Sequence, residues 1–304
     1  MANSTSPPLL AAPDLLARVA QLELRARSVV EGALAGMHRS PHRGSSVEFA
    51  QHRDYVQGDE IRHIDWKVYS RTDRYHVKQY EEETNLRATL AVDVSASMNY
   101  RGASSTATKR EFGITLAIAL SYLLTRQRDM VGLATFDAGI SRFVPPAGTA
   151  AHLRQIAEIL AAEPARQRTG IADTFHALAD RLKRRGMVVV ISDLLDDASS
   201  VLRGLQHLRH RRHDVLLLHV LDNDEITFPF SESMVFEGME GEPPLHIEPR
   251  AMRAEYLRAF DAYRQELRGG CRERGVDYHL FNTSDPLESA LPQFLASRQG
   301  KSGR

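Results

Sequence analysis

One cysteine, Cys271, occurs in 304 residues. No disulfide framework can form within the chain, and a thiolate zinc site is not expected. An excess of charge of either sign is also missing, since 39 Lys and Arg face 39 Asp and Glu. That balance argues against a nucleic-acid partner held by bulk positive charge, while a local patch stays open. Long apolar runs are absent. The longest, 112–125, is bounded by Lys109-Arg110-Glu111 and Arg126-Gln127-Arg128. It suits a buried helix and falls short of the ~20 residues that span a bilayer. The start, MANSTSPPLLAAPDLL, has no basic leader and no long apolar core, so no signal peptide is expected and the expected location is cytoplasmic. P-loop, G-x-S-x-G and H-E-x-x-H patterns do not occur, which removes the commonest phosphate, acyl-transfer and zinc-protease signatures.

What is present falls into four stretches. Residues 1–37 read as a disordered tip followed by a helix from about Pro13 to Ala35, with Leu15, Val19, Leu22, Val29 and Val30 on one face. Residues 38–85 are polar and aromatic and lack helical periodicity. Val47-Glu48-Phe49, Ile64-Asp65-Trp66 and Tyr75 to Lys78 read there as short strands. Aliphatic side chains are too sparse in this stretch for a core of its own. Residues 86–284 alternate apolar strands (Leu86–Val92, Val131–Phe136, Met187–Ile191, Val215–Val220, Val276–Phe281) with helical stretches. Thr227 to Ile247 interrupts the alternation with hairpin character, and a helix from Pro249 to Leu267 follows. Residues 285–304 read as a last helix and tail. Alternation of this kind predicts an α/β fold: a doubly wound, mostly parallel sheet with helices on both faces, plus a small β-rich N-terminal segment.

The chemistry gathers at strand ends. The first strand of the sheet runs into Asp93-Val94-Ser95-Ala96-Ser97-Met98, and another ends at Asp193. In open α/β sheets ligands bind outside the carboxyl ends of the strands. The alternate spacing of Asp93, Ser95 and Ser97 lets one loop aim three oxygens inward. An all-oxygen set with no imidazole or thiolate suits a hard divalent cation such as Mg²⁺.

D-x-S-x-S followed by Met at the end of the first strand resembles the metal-ion-dependent adhesion site of von Willebrand factor A-type domains. The resemblance implies that Ser95 and Ser97 hold Mg²⁺ or Mn²⁺ directly, that Asp93 and Asp193 act largely through water, and that an acidic side chain of a partner completes the coordination. Those domains supply a further Thr from a loop written G-G-T-N/D-x-x-x-A-L. The matching stretch, Gly170 to Leu178, places Ala172 at that position, so weak metal binding is expected, with Thr169 and Thr174 as candidate substitutes. Upstream, Arg53-Asp54-Tyr55, Gly58-Asp59, Arg62, Ile64-Asp65-Trp66-Lys67, Arg71-Thr72, Lys78, Glu81-Glu82-Glu83 and Asn85 resemble the signature of a bacterial family called domain of unknown function 58. Its members carry a von Willebrand A-like domain after that signature. They are typically encoded beside MoxR-type AAA+ ATPases.

The resemblance implies a non-enzymatic protein-interaction module that works with a MoxR-type ATPase in protein assembly or metal insertion. The competing reading is a metal-dependent hydrolase or phosphotransferase using Asp93. Phosphatases that start from a strand-end Asp need D-x-D, and position 95 is Ser. Five histidines, His38, His42, His52, His63 and His76, lack a local ligand spacing and read as surface or structural residues. Trp66 and Tyr69 read as packing residues, Asp65 and Arg71 as structural charges, and Glu81 to Glu83 as a solvated turn or a partner for nearby arginines. Arg209 to His213 ends a helix, where cations favour the dipole.

Overall fold

The structure is a computed structural model and describes residues 13–37, 51–56, 66–79, 86–163 and 170–299. Backbone contacts divide the chain into two compact units. One is built from residues up to 37 and from 86 onward, the other from residues between 38 and 85.

The larger unit is a six-stranded sheet in the order β10-β7-β6-β3-β4-β5. Its strands are β3 (Arg87–Asp93), β4 (Met130–Phe136), β5 (Ile140–Ala147), β6 (Met187–Ser192), β7 (Asp214–Leu221) and β10 (Asp277–Asn282). All neighbours are parallel except β5, which returns antiparallel along β4. Gly132 in β4 makes that return possible: a Cβ there would lie 2.7 Å from the carbonyl of Val144 in β5. The expected α/β class with a mostly parallel sheet is what the chain forms.

Helices cover both faces because β3, β6 and β7 are apolar on both. On one face lie α1 (Pro13–Met37), α3 (Lys109–Arg126), α4 (Ala150–Ala162) and α9 (Leu287–Gln299). They bury Val29, Leu116, Ile156 and Leu291 against Leu90, Val92, Val189 and Leu218. On the other lie α5 (Ile171–Arg181), α6 (Ala198–His210) and α8 (Pro249–Glu273), which bury Phe175, Leu205 and Leu267 against Ala91, Val190 and Leu217. Helix α1 thus packs on α3, α4 and α9. Val19, Ala26, Val29 and Val30 are its buried face, and the side chain of Leu15 lies outside the described residues. A short helix, α7 (Asn223–Thr227), follows β7, and a hairpin, β8 (Met234–Phe236) with β9 (Leu245–Ile247), precedes α8. Helix α8 runs to Glu273, one and a half turns beyond the Leu267 expected, because Cys271 and Gly270 extend its buried face. Among the described residues no helix is long and apolar enough to cross a membrane.

In the smaller unit β1 (Gln51–Asp54) pairs antiparallel with β2 (His76–Gln79). The strand expected at Ile64 to Trp66 is corrected at its end: Trp66 opens a helix, α2 (Trp66–Thr72). Positions 64 and 65, and the expected strand at 47–49, lie outside the described residues, as do Arg62 and Glu81 to Glu83. The aromatics account for the helix. Tyr69 stacks on Tyr75 with ring centroids 4.5 Å apart, and Trp66 meets Tyr69 edge-on at 6.0 Å. Spacing of i and i+3 puts both rings on one helical face. Arg71 is exposed in the last turn. His76 Nδ1 lies 3.2 Å from Asp54 Oδ1 across the strand pair.

Helix α9 is bonded into the core through Leu287, Leu291 and Phe294. Leu291→Ala should lower unfolding free energy by about 2–5 kcal/mol through the cavity it leaves. Denaturant titration checks this; a loss under about 1 kcal/mol would mean α9 adds little to the core.

Candidate functional site

Strand order decides where the site sits. From β3 the chain moves one way to β4 and β5, then crosses back to β6, β7 and β10. The direction therefore reverses between β3 and β6, and their carboxyl ends border the crevice where open α/β sheets bind ligands. Asp93 ends β3, and Asp193 directly follows β6. The register pairs Val92 with Ile191, so Asp93 stands beside Ser192.

Asp93 is fully buried and accepts two hydrogen bonds from its own fold. Ser95 N–H donates to Oδ1 at 2.9 Å, and the Ser192 hydroxyl donates to Oδ2 at 2.5 Å. Behind them Leu194 N–H donates to Ser192 Oγ at 2.9 Å. Ser95 and Ser97 are buried with their hydroxyls 3.0 Å apart. A 3₁₀ turn over Ser97–Asn99 holds that pairing, because Asn99 N–H closes on Ala96 O and Tyr100 N–H on Ser97 O. Burial, and next the charge of Asp193, push the Asp93 carboxyl up to about 7.

Asp193 has a different surrounding. Its Oδ2 lies 2.7 Å from Lys109 Nζ, and the same ammonium lies 2.6 Å from Glu225 Oε1. Lys109 is fully buried, at the first position of α3. Burial alone would pull its pKa down. The Asp193 and Glu225 carboxylates outweigh that and raise it above the usual lysine value, so the ammonium stays charged. Asp193 Oδ1 keeps a long 3.5 Å contact with Leu195 N–H, and its carbonyl lies 2.8 Å from His219 Nε2. A carbonyl only accepts, so Nε2 carries the proton and Nδ1 accepts from the Tyr278 hydroxyl at 2.8 Å. Burial pushes His219 down to about 4, which keeps it neutral. The next residue, Leu194, is buried in left-handed backbone at φ 54°. A branched side chain there costs about 1–2 kcal/mol; the Tyr263 hydroxyl, donating to Leu194 O, helps to hold the turn.

A second ring of carboxylates pins the loop after Ser97. Asp222 Oδ2 accepts from Gly102 N–H at 3.0 Å and from the Thr283 hydroxyl at 2.8 Å. The Tyr100 hydroxyl donates to Asp224 Oδ2 at 3.1 Å. A Cβ at Gly102 would meet Asp222 Oδ1 at 2.3 Å and Asp224 Oδ2 at 2.4 Å, so a larger residue there has to displace both carboxylates.

The structure thus brings Asp93, Ser95, Ser97 and Asp193 to one edge. Ser95 and Ser97, with Asp93 behind them, fit a hard cation, and Asp93 has no cation paired to it among the described residues. Asp193 fits less well because one of its oxygens is engaged by Lys109. Ala172 sits half-buried in the first turn of α5 and offers no side-chain oxygen. Thr169 lies outside the described residues; Thr174 is buried with no hydrogen-bond partner for its hydroxyl among them. Lys109, His219, Asp222 and Glu225 were not singled out by the sequence reading. Two signals existed: capping boxes at Thr108/Glu111 and Asp222/Glu225, and one imidazole, His219, in the apolar run Val215 to Leu221. His38, His42 and His63, and the side chain of His52, lie outside the described residues.

The family model described as "Protein of unknown function DUF58" matches residues 51–266. Among curated relatives, the uncharacterized protein Rv1480 of Mycobacterium tuberculosis is 30% identical over 293 residues, which cover 94% of this chain and 90% of the relative. The uncharacterized protein Mb1516 of Mycobacterium bovis matches to the same extent. Among solved structures, the conserved hypothetical protein BatB from Bacteroides thetaiotaomicron has a TM-score of 0.48 at 14% identity, over 70% of this chain and 98% of that one. The SpRpn10 VWA domain has a TM-score of 0.40 at 14% identity, over 68% of this chain and 94% of that one. Both structural likenesses are remote, and neither bears on function.

Lys109→Met leaves Asp193 and Glu225 buried without their cation. It should cost about 3–5 kcal/mol of stability, read by denaturant unfolding; a cost below about 1 kcal/mol would mean the triad is not a structural charge centre. His219 gives a pH test. Its folded pKa lies below the unfolded value of about 6.5, so the unfolded chain binds the extra proton. The stability that neutral His219 contributes is present above about 6.5 and is lost as pH falls toward about 4. Asp93, with its raised pKa, contributes the opposite slope over much of this window. The comparison is therefore between the parent and His219→Gln: the difference in stability should shrink as pH drops from 7 to 4. A constant difference would show that His219 is not held neutral.

Proposed function

Because the chain belongs to the DUF58 family of proteins of unknown function, we propose that it is a non-enzymatic protein-interaction module of the von Willebrand A type. On this reading Ser95 and Ser97 hold Mg²⁺ or Mn²⁺, Asp93 orients them from behind, and Asp193 contributes through water with the oxygen that Lys109 leaves. The cation supplies one open position for a carboxylate on a partner protein. The observation that carries the reading is the imbalance at the edge. Asp193 and Glu225 share Lys109, while the buried Asp93 carboxylate beside the paired Ser95 and Ser97 hydroxyls has hydrogen bonds but no counter-charge among the described residues. Buried carboxylates are normally paired or coordinate a metal. The partner we propose is a MoxR-type AAA+ ATPase, with the pair acting in protein assembly or metal insertion; this rests on the resemblance of the 53–85 signature. A cytoplasmic location is part of the same reading.

A hydrolase with Asp93 as nucleophile is not favoured. Both of its oxygens accept hydrogen bonds from within the fold and the group is fully buried, so no attack trajectory is open to it.

Calorimetric titration with Mn²⁺ tests the cation. The parent should bind weakly, Ser97→Ala and Asp93→Ala should not bind, and Ala172→Thr should bind about tenfold more tightly, since it returns a preorganised oxygen. Identical binding by the parent and both loop variants would remove the metal reading. Pull-down of a MoxR-type ATPase should succeed with Mg²⁺ and fail with chelator; capture that ignores the metal would separate the partner from the cation.

A further inference from the structure

The other end of the sheet gathers cations without acids. Helix α5 ends at Arg181, and Leu182-Lys183-Arg184-Arg185-Gly186 leads into β6. A cavity of about 260 Å³ lies there, at the amino ends of β3 and β6. Arg87, Arg181, Lys183 and Arg184 line it, and no Asp or Glu does among the described residues. None of these four cations has an ion pair among the described residues. Arg87 Nη1 meets the Met130 sulfur at 3.5 Å, and the Arg181 guanidinium lies 4.7 Å over the Phe143 ring; neither contact cancels a charge. The carboxylates adjoining in sequence are engaged elsewhere. Asp180 accepts from Arg211 at 2.5 Å, and Asp214 pairs with Arg209 at 3.0 Å and Arg185 at 3.8 Å.

The wall of the cavity supplies a hydroxyl that the fold leaves unused. Thr89 lines it and is 3% exposed. It stands two residues from Arg87 along β3, on the same face of the sheet. Its hydroxyl has no hydrogen-bond partner among the described residues. The surroundings are fixed in advance. Gly186 lets the loop close onto β3, since a Cβ there would lie 2.3 Å from the Arg87 carbonyl oxygen. Asp214 N–H donates to Gly186 O at 3.0 Å. Phe143, Pro145 and Pro146 of β5 make an apolar side, stiffened by the fixed φ of proline.

We propose that this cavity binds a phosphate monoester carried on a small apolar group. At neutral pH such a group holds about 1.5 to 2 negative charges and three acceptor oxygens. Four cations without ion pairs offset that charge. The guanidiniums among them match phosphate oxygens in pairs, and Thr89 adds a neutral donor. The apolar side takes the organic part. The volume lies just under the roughly 300–1,000 Å³ of small-molecule sites, so the ligand is compact. The C-terminal end of α5 opposes an anion with roughly half an elementary charge, well short of four cations. The cavity shares no residue with the candidate cation site: along β3, Thr89 and Asp93 stand about 13 Å apart.

The test uses the full chain in chelator, which removes any cation from Ser95 and Ser97. In calorimetric titration phenyl phosphate should bind at least tenfold more tightly than phenyl sulfate, which carries a single charge on the same ring. Inorganic phosphate, which lacks the ring, should also bind more weakly. The double variant Lys183→Ser, Arg184→Ser alters exposed positions, so circular dichroism should be unchanged while binding of phenyl phosphate falls at least tenfold. Thr89→Val keeps the shape and removes the hydroxyl; binding should fall about tenfold through one lost hydrogen bond to a charged group. A phosphotyrosyl peptide distinguishes the source. Binding tighter than phenyl phosphate places the phosphate on a protein side chain, and weaker binding places it on a free small molecule. Absence of phenyl phosphate binding, equal binding of the sulfate, or binding indifferent to these variants overturns the proposal. So does a DNA duplex that binds more tightly than phenyl phosphate and is lost in the double variant, since the patch would then take a phosphodiester backbone. Failure of the Mn²⁺ titration leaves this result unchanged, because no metal is present.

Discussion

A single buried ammonium holds the carboxyl edge together. Lys109 is placed against two penalties: it is out of water, and it sits at the first position of α3, where the helix dipole is positive. Only the carboxylates of Asp193 and Glu225, at 2.7 and 2.6 Å, offset them. In doing so they tie together the end of β6, the start of α3 and the helix α7, three elements far apart in sequence. Removing the Lys109 charge leaves the buried Asp193 and half-buried Glu225 carboxylates unpaired, and removing either carboxylate leaves the buried ammonium with one partner in place of two; such a loss costs more than the triad gains over an apolar packing. The triad is therefore better understood as a register device than as a source of stability. It fixes where the Asp193 turn stands relative to the Ser97 turn.

The rest of the edge is built to keep that position. Leu194 holds a left-handed turn, and its backbone is satisfied by Tyr263 from α8 and by its own bond to Asp196 N–H at 2.7 Å. The relay Tyr278–His219–Asp193 O ties β10 and β7 to the same turn. Gly102, close against Asp222, draws the 100–108 loop onto the end of β7. Strain in one turn, close approach in another and a buried charge between them are features concentrated where a fold positions a binding site.

The sheet was legible in the sequence because β3, β6 and β7 are buried on both faces and so read as unbroken apolar runs ended by Asp or a polar turn. The strand-end oxygens Asp93, Ser95, Ser97 and Asp193 were legible for the same reason: strand ends in such sheets have a defined place. Trp66 was misread as the end of a strand because aromatic residues favour strands on propensity, whereas it opens a helix in which its ring meets Tyr69 at i+3. Lys109 was invisible because a lysine flanking an apolar helix reads as a solvated end. Its burial depends on Glu225, which lies 116 residues away, and no local pattern encodes that pairing. The hairpin character read between Thr227 and Ile247 is met by the antiparallel pairing of Met234–Phe236 with Leu245–Ile247.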